Sequence, residues 1–205
     1  VLDMDVKANG LEGFFPSKTD KINIRWTEDM KQQEKGYDFE NRYSTITYRT
    51  VKGDTEELST SGSDKEENEF SENAKWIAFK TQFFAQVLVA DVPVEIASMK
   101  SEQLQKGSGY LKTYSADFAA SFDPKGVKPT SFHLYLGPNK FSTLANNEDM
   151  ISKTDDLDLQ SLVYMGWPVI KWINRLVFLY AFDFLTSLGM NMGIILVILT
   201  IIVKI

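Results

Sequence analysis

Three stretches of the sequence carry side chains able to do chemistry. The single histidine lies in Ser131-Phe132-His133-Leu134-Tyr135-Leu136. An imidazole acts as general acid or base when a carboxylate or second imidazole orients it, and no such partner stands nearby in the sequence. Because it alternates with Phe132 and Leu134, His133 reads as a polar position on a sheet surface. Asp155-Asp156-Leu157-Asp158 gathers carboxylates that suit a metal site or an acid/base pair. Placed just before an apolar tail, the cluster reads as a solvated linker. Gly53–Glu72 holds eight acids and one base, Lys65. It lacks the regular oxygen-ligand spacing of a calcium loop and reads as a solvated hairpin tip.

Composition closes off other chemistries. With no Cys, these residues build no disulfide scaffold, thiol nucleophile, Cys-based zinc site or iron–sulfur cluster. One His excludes any reaction that needs two imidazoles from this stretch. Lys plus Arg is 22 against 28 for Asp plus Glu, a net charge of −6, which argues against nucleic acid as a direct partner. The charge is unevenly spread. From Ser161 to Ile205 only Lys171, Arg175, Asp183 and Lys204 are charged, so an acidic body of −8 precedes an apolar tail of +2. That asymmetry points to a membrane. The sequence opens on Val1 within an alternating run and stops inside an apolar run, so it is expected to be a piece of a longer chain.

The elements that position these residues are mainly β. Leu2–Val6, Ile22–Trp26 and Tyr43–Val51 alternate apolar with polar residues, the period of a half-buried strand. Trp76–Ala90, Tyr110–Phe122 and Ser131–Leu136 are further strands, rich in aromatic and β-branched residues. Turn chemistry bounds them at Asn9-Gly10, Gly107-Ser108-Gly109, Asp123-Pro124-Lys125-Gly126 and Gly137-Pro138-Asn139. The spacing suits an antiparallel sandwich, and helical periodicity is weak before residue 160.

The tail differs. Gly166-Trp167-Pro168 opens a helix on which Lys171, Asn174 and Arg175 share one narrow arc, flanked by Trp172, Tyr180 and Phe184. Such a stripe suits the headgroup boundary of a bilayer, where bases meet lipid phosphate and rings enter the acyl edge. A core helix with two snorkelling bases is the rival reading. Two glycines and an Asn in Ser187–Gly193 break the run, and a second helix starts near Met190. Met190–Val203 gives about 21 Å of helix at ~1.5 Å per residue. A hydrocarbon core needs ~30 Å. The helix therefore either continues past Ile205 into a span or is soluble core. Lys204 would face a wet cavity within such a span, or snorkel to the cytoplasmic interface.

Four stretches, in order, resemble one family. They are Trp76–Phe84 (WIAFKTQFF), Leu134–Lys140 (LYLGPNK), Gly166-Trp167 with Trp172-Ile173-Asn174-Arg175, and the helix Gly193–Lys204. Together they look like the YidC membrane-protein insertase family, in its Bacteroidetes-like branch, over about residues 76–205. Residues upstream fit by character. The resemblance implies a bacterial inner-membrane, multi-pass protein. Residues 1–160 would be the later part of a periplasmic β-supersandwich similar to galactose mutarotases. Residues 161–188 would be a linker and an amphipathic membrane-surface helix carrying Trp167, Lys171, Trp172, Arg175 and Tyr180. Residues 189–205 would begin the first core transmembrane helix.

It further implies a non-catalytic insertase and chaperone acting on nascent membrane proteins through a hydrophilic groove. Lys204 would stand where the family usually has Arg, keeping the positive charge without the planar fork. The lipid bilayer, components of the Sec translocon and the ribosome are the implied partners. No catalytic residue, metal or cofactor is expected. Two alternatives stay open: a membrane-tethered periplasmic carbohydrate-active domain, or a docking domain.

Overall fold

In the computed structural model the described residues are 1–11, 13–16, 18–58, 65–152, 156–163 and 179–204. The chain divides into two compact units, Val1–Val163 and Tyr164–Ile205.

The first unit is built on one eight-stranded antiparallel sheet. Its strands are β1 (Leu2–Val6), β2 (Lys21–Lys31), β3 (Thr45–Thr50), β4 (Thr55–Glu57), β5 (Lys65–Lys80), β6 (Phe84–Gln103), β7 (Tyr110–Ser121) and β8 (Thr130–Pro138). α1 (Tyr37–Arg42) lies between β2 and β3, and α2 (Phe141–Ile151) and a 3-10 turn at Leu159–Leu162 follow β8. The long hairpin of β5 and β6 is the frame. Along one edge β6 pairs with β5, and along the other it changes partner midway. Phe84–Ala90 pair with β8, while Glu95–Gln103 pair with β7, which carries β2. Irregularities in the register near Ala74/Trp76 and Ile96/Ser98 mark where bulges bend these strands.

The forked sheet folds on itself, so β2 and β7 pack over β3 and β5. Trp26 stacks on Phe79 with ring centroids 3.9 Å apart, and Tyr114 meets the edge of Phe79 at 5.4 Å. Ile46, Ile77, Ile96, Met99 and Phe118 complete this first core. The opposite face of the same hairpin carries Trp76, Ala78, Ala85, Val87 and Val89. Leu144 of α2, with Leu157, Leu159 and Leu162, covers that face. The run Trp76-Ile77-Ala78-Phe79 is apolar without alternation because both of its faces are buried. Outward from β2 and β7 the surface is polar, as in the paired Arg25–Asp117 and Thr27–Ser115 contacts.

Several elements depart from the sequence expectation. Trp76–Ala90 is not one strand: it turns at Thr81–Phe84, without glycine or proline. The Thr81 hydroxyl accepts the N–H groups of Phe83 and Phe84, and Thr81 N–H donates to Phe84 O at 2.8 Å. The acidic stretch is not a solvated tip throughout. Thr55–Glu57 form β4, and from Lys65 onward the acids line β5, with Glu67 opposite Lys100. Its residues 59–64 lie outside the described residues. The helix α2 has almost no apolar stripe, since Leu144 is its one buried residue, and so carries no helical periodicity in the sequence. The β7–β8 turn is as read. There Gly126 has φ +66°, and a Cβ would sit 2.0 Å from Ala8 O, so only glycine fits.

The second unit is described from α3 (Leu179–Ser187) through α4 (Met192–Lys204). Gly189 at φ +72° separates them, and the Asn191 side chain accepts Gly193 N–H at 2.9 Å to start α4. The break thus falls where the two glycines and Asn191 place it. No helix among the described residues is long and apolar enough to cross a membrane.

Phe79→Ala should lower the stability of the β unit by about 3–5 kcal/mol, because it empties the centre of the first core. Phe84→Ala, at a position 46% exposed, should change it by about 0.5 kcal/mol or less. The two urea midpoints read the contrast directly.

Candidate functional site

Of the residues expected at a membrane interface, Trp167, Lys171, Trp172 and Arg175 lie outside the described residues. Tyr180 is described. It is 69% exposed and shares a face of α3 with Asp183 and with Phe184, itself 63% exposed. Lys204 ends α4, and its side chain lies outside the described residues. Between Met192 and Val203 α4 carries no charge, and Ile194, Leu196, Val197 and Ile201 are each more than half exposed. Ile195 and Leu199 are the buried residues of α4 among its described side chains. Exposed branched residues over most of a helix's circumference mark a surface suited to lipid or to another protein.

The β unit ends in a clamp that sequence reasoning missed. The strap Leu157–Leu162 is held by polar groups that its cover role would otherwise leave unpaired. Both oxygens of the Glu148 carboxylate, from α2, accept N–H groups of Leu157, Asp158 and Leu159 at 2.8–3.0 Å. The Trp76 indole N–H donates to Leu157 O at 2.7 Å. Lys80, buried, donates to Leu162 O at 3.0 Å and to Glu57 at 2.6 Å. Arg49, also buried, donates to Asp158 at 3.0 Å and to the Thr55 hydroxyl at 2.9 Å, with Asp156 at 3.6 Å. A further link joins Thr55 to Ser161 at 2.9 Å.

The Asp156 to Asp158 part of the acidic cluster is therefore not a free linker. Asp158 pairs with a buried guanidinium and adopts a left-handed backbone, φ 47°. Asp155 lies outside the described residues. No local pattern could have revealed these contacts. Trp76 and Leu157 are 81 positions apart, and Arg49 and Asp158 are 109 apart.

His133 does have carboxylate partners. Its Nδ1 lies 2.6 Å from Asp3 and its Nε2 lies 3.0 Å from Asp91. Both partners come from other strands, which is why the sequence around the histidine is silent. With both nitrogens occupied, this imidazole has no lone pair free to take a proton from a substrate. Among the described residues no group of three or more His, Asp or Glu side chains is arranged to hold a metal ion.

Residues 10–180 match the family described as the YidC periplasmic domain. A membrane protein insertase YidC of Phocaeicola vulgatus is 42% identical over 205 residues, covering 100% of this chain and 33% of that protein. The Bacteroides fragilis protein of the same name is 42% identical over 200 residues, covering 98% of this chain and 32% of the relative. The Parabacteroides distasonis protein, also so named, is 35% identical across 100% of this chain and 32% of its own length. The chain thus spans about a third of the length of the curated relatives it matches.

Glu148→Ala orphans three consecutive backbone N–H groups in a partly buried strap. It should cost about 3 kcal/mol and raise protease cleavage near residues 152–163. Glu148→Gln keeps one acceptor oxygen and should fall between the variant and the native chain in both measurements.

Proposed function

The chain belongs to the YidC family, and on that premise we propose that it serves in a membrane protein insertase of the bacterial inner membrane. In this reading the β unit is the later part of the periplasmic domain. Residues 161–188 lead to and lie on the membrane surface, and residues 189–205 begin a core helix of a multi-pass protein. The observation that carries the reading is the exposed apolar surface of α3 and α4. Names of the relatives do not favour a carbohydrate-active alternative.

Insertion is a solvation problem. A nascent helix with a polar or acidic tail must carry that tail through hydrocarbon, at about 2.5–3.5 kcal/mol for a charged group on insertion scales. A hydrophilic groove reaching partway into the bilayer shortens the apolar path, and Lys204 in that groove offsets part of the desolvation of an acidic group. A single ammonium attracts a carboxylate as a point charge, without the paired geometry of a guanidinium. The substrate helix then leaves sideways into lipid, where its own apolar area holds it. No bond is made or broken, so the work needs no catalytic residue. Nascent membrane proteins are the substrates, with Sec translocon components and the ribosome as neighbours during synthesis. Trp167, Lys171, Trp172, Arg175 and Tyr180 would seat the surface helix, with bases at lipid phosphate and rings at the acyl boundary.

Two measurements test these roles. In the full-length protein, Lys204→Glu should reduce insertion of an acidic-tailed substrate about tenfold, while Lys204→Arg retains it. Equal insertion by the Glu variant would remove the groove-charge role. Replacing Lys171 and Arg175 together by Glu should weaken binding to anionic phospholipid vesicles by at least about tenfold, from ~1 kcal/mol per basic residue near such a surface. Added salt should narrow that gap.

A further inference from the structure

α3 carries one charged side chain, Asp183, and no other acid occurs between Asp158 and Ile205. At about 3.6 residues per turn, Tyr180, Asp183, Phe184 and Ser187 share one face of the helix, within an arc of about 100°. The hydroxyls that could serve the carboxylate are committed to the helix backbone. Thr186 donates to Phe182 O at 2.8 Å and Ser187 donates to Phe184 O at 2.7 Å. Among the described residues no group donates to Asp183 or forms an ion pair with it.

An acid at this position works against its setting. The argument that follows rests on the reading that residues 161–188 lie on the membrane surface. There, lipid phosphates attract Lys171 and Arg175 and repel a carboxylate. A carboxylate at that depth favours the cationic end of a zwitterionic headgroup. Aromatic rings favour the same charge, through the negative faces of their π systems. Tyr180 stands one turn before Asp183 and Phe184 stands next to it. Acid and rings on one face have the composition of an ammonium site.

We propose that the Tyr180, Asp183 and Phe184 face of α3 binds the primary ammonium of an aminophospholipid headgroup. A primary ammonium brings three N–H donors, the complement of an ionised carboxylate, which only accepts. A quaternary ammonium brings the same charge without a donor. The rings hold either headgroup, while the carboxylate hydrogen-bonds only the primary one. The face therefore selects phosphatidylethanolamine over phosphatidylcholine, and the selection resides in Asp183. It gives the surface segment two anchors of opposite sign, with bases on phosphate and the acid on ammonium.

Site-specific photocapture in the full-length protein tests the site. A diazirine amino acid replaces Ser187, on the same face, in bilayers of equal phosphatidylethanolamine and phosphatidylcholine. Mass spectrometry of the adducts then gives the ratio of the two lipids. With Asp183 present, phosphatidylethanolamine should exceed phosphatidylcholine at least about threefold. Asp183→Asn should bring the ratio near unity, and Asp183→Glu, which keeps the carboxylate, should preserve the excess. An excess that survives Asp183→Asn overturns the proposal. Lipid adducts in equal amounts with Asp183 present overturn it as well, while leaving the membrane-surface reading intact. Absence of any lipid adduct removes that reading and the proposal together.

Discussion

One hairpin must be covered on both faces, and most of the β unit follows from that. Along Trp76–Phe79 of β5, odd and even positions are equally apolar and buried on opposite sides, and Val87 and Val89 of β6 join Trp76 on the second. A strand pair of this kind cannot sit at a solvated surface, where one face would expose Phe79 and Ile77 or Trp76 and Val87. The first face is met by the sheet folding back through β7 and β2. The second needs a different cover, and the chain supplies it after β8, with α2 and the strap at Leu157–Leu162. Folding the sheet is possible because β6 exchanges one neighbour for another halfway along, with a bulge close to the change.

Covering a face with irregular chain has a polar cost. Backbone N–H and C=O groups in a strap have no ladder to join and, once buried, require partners. The molecule meets this need twice by the same device. Glu148 of α2 receives consecutive N–H groups of the strap, and Glu40 of α1 receives those of Gln33 and Glu34 at 3.0–3.1 Å. Each carboxylate gathers backbone donors that a neutral side chain would satisfy less completely. Buried cations finish the work: Lys80 takes Leu162 O, and Lys112 takes Ser44 O at 2.8 Å. The last residues of the β unit are therefore fixed rather than slack, immediately before the apolar unit begins.

The second unit is patterned differently from the first. In α4 the apolar residues point in all directions, so no single protein face could shelter them all. Its start is nonetheless specified by ordinary capping chemistry, through Gly189 and Asn191. Helix boundaries there come from backbone hydrogen bonding, while the surface comes from what surrounds it.

Sequence by itself determined the large divisions. Period-two alternation marked β1, β2 and β3, turn residues marked the β7–β8 connection, and charge depletion after Ser161 marked the tail. Each of these signals is local, since residues a few positions apart share a face or a turn. The family was legible too, because its four stretches are short and contiguous. Tertiary structure alone decided which stretches meet. It split Trp76–Ala90 at a threonine turn, drew Lys65–Glu72 into a strand, formed α2 around one leucine and brought Asp3 and Asp91 to His133. It also made Asp158 a partner of Arg49. Those outcomes depend on pairing partners far along the chain, and a contact between distant residues leaves no periodic trace in either of them.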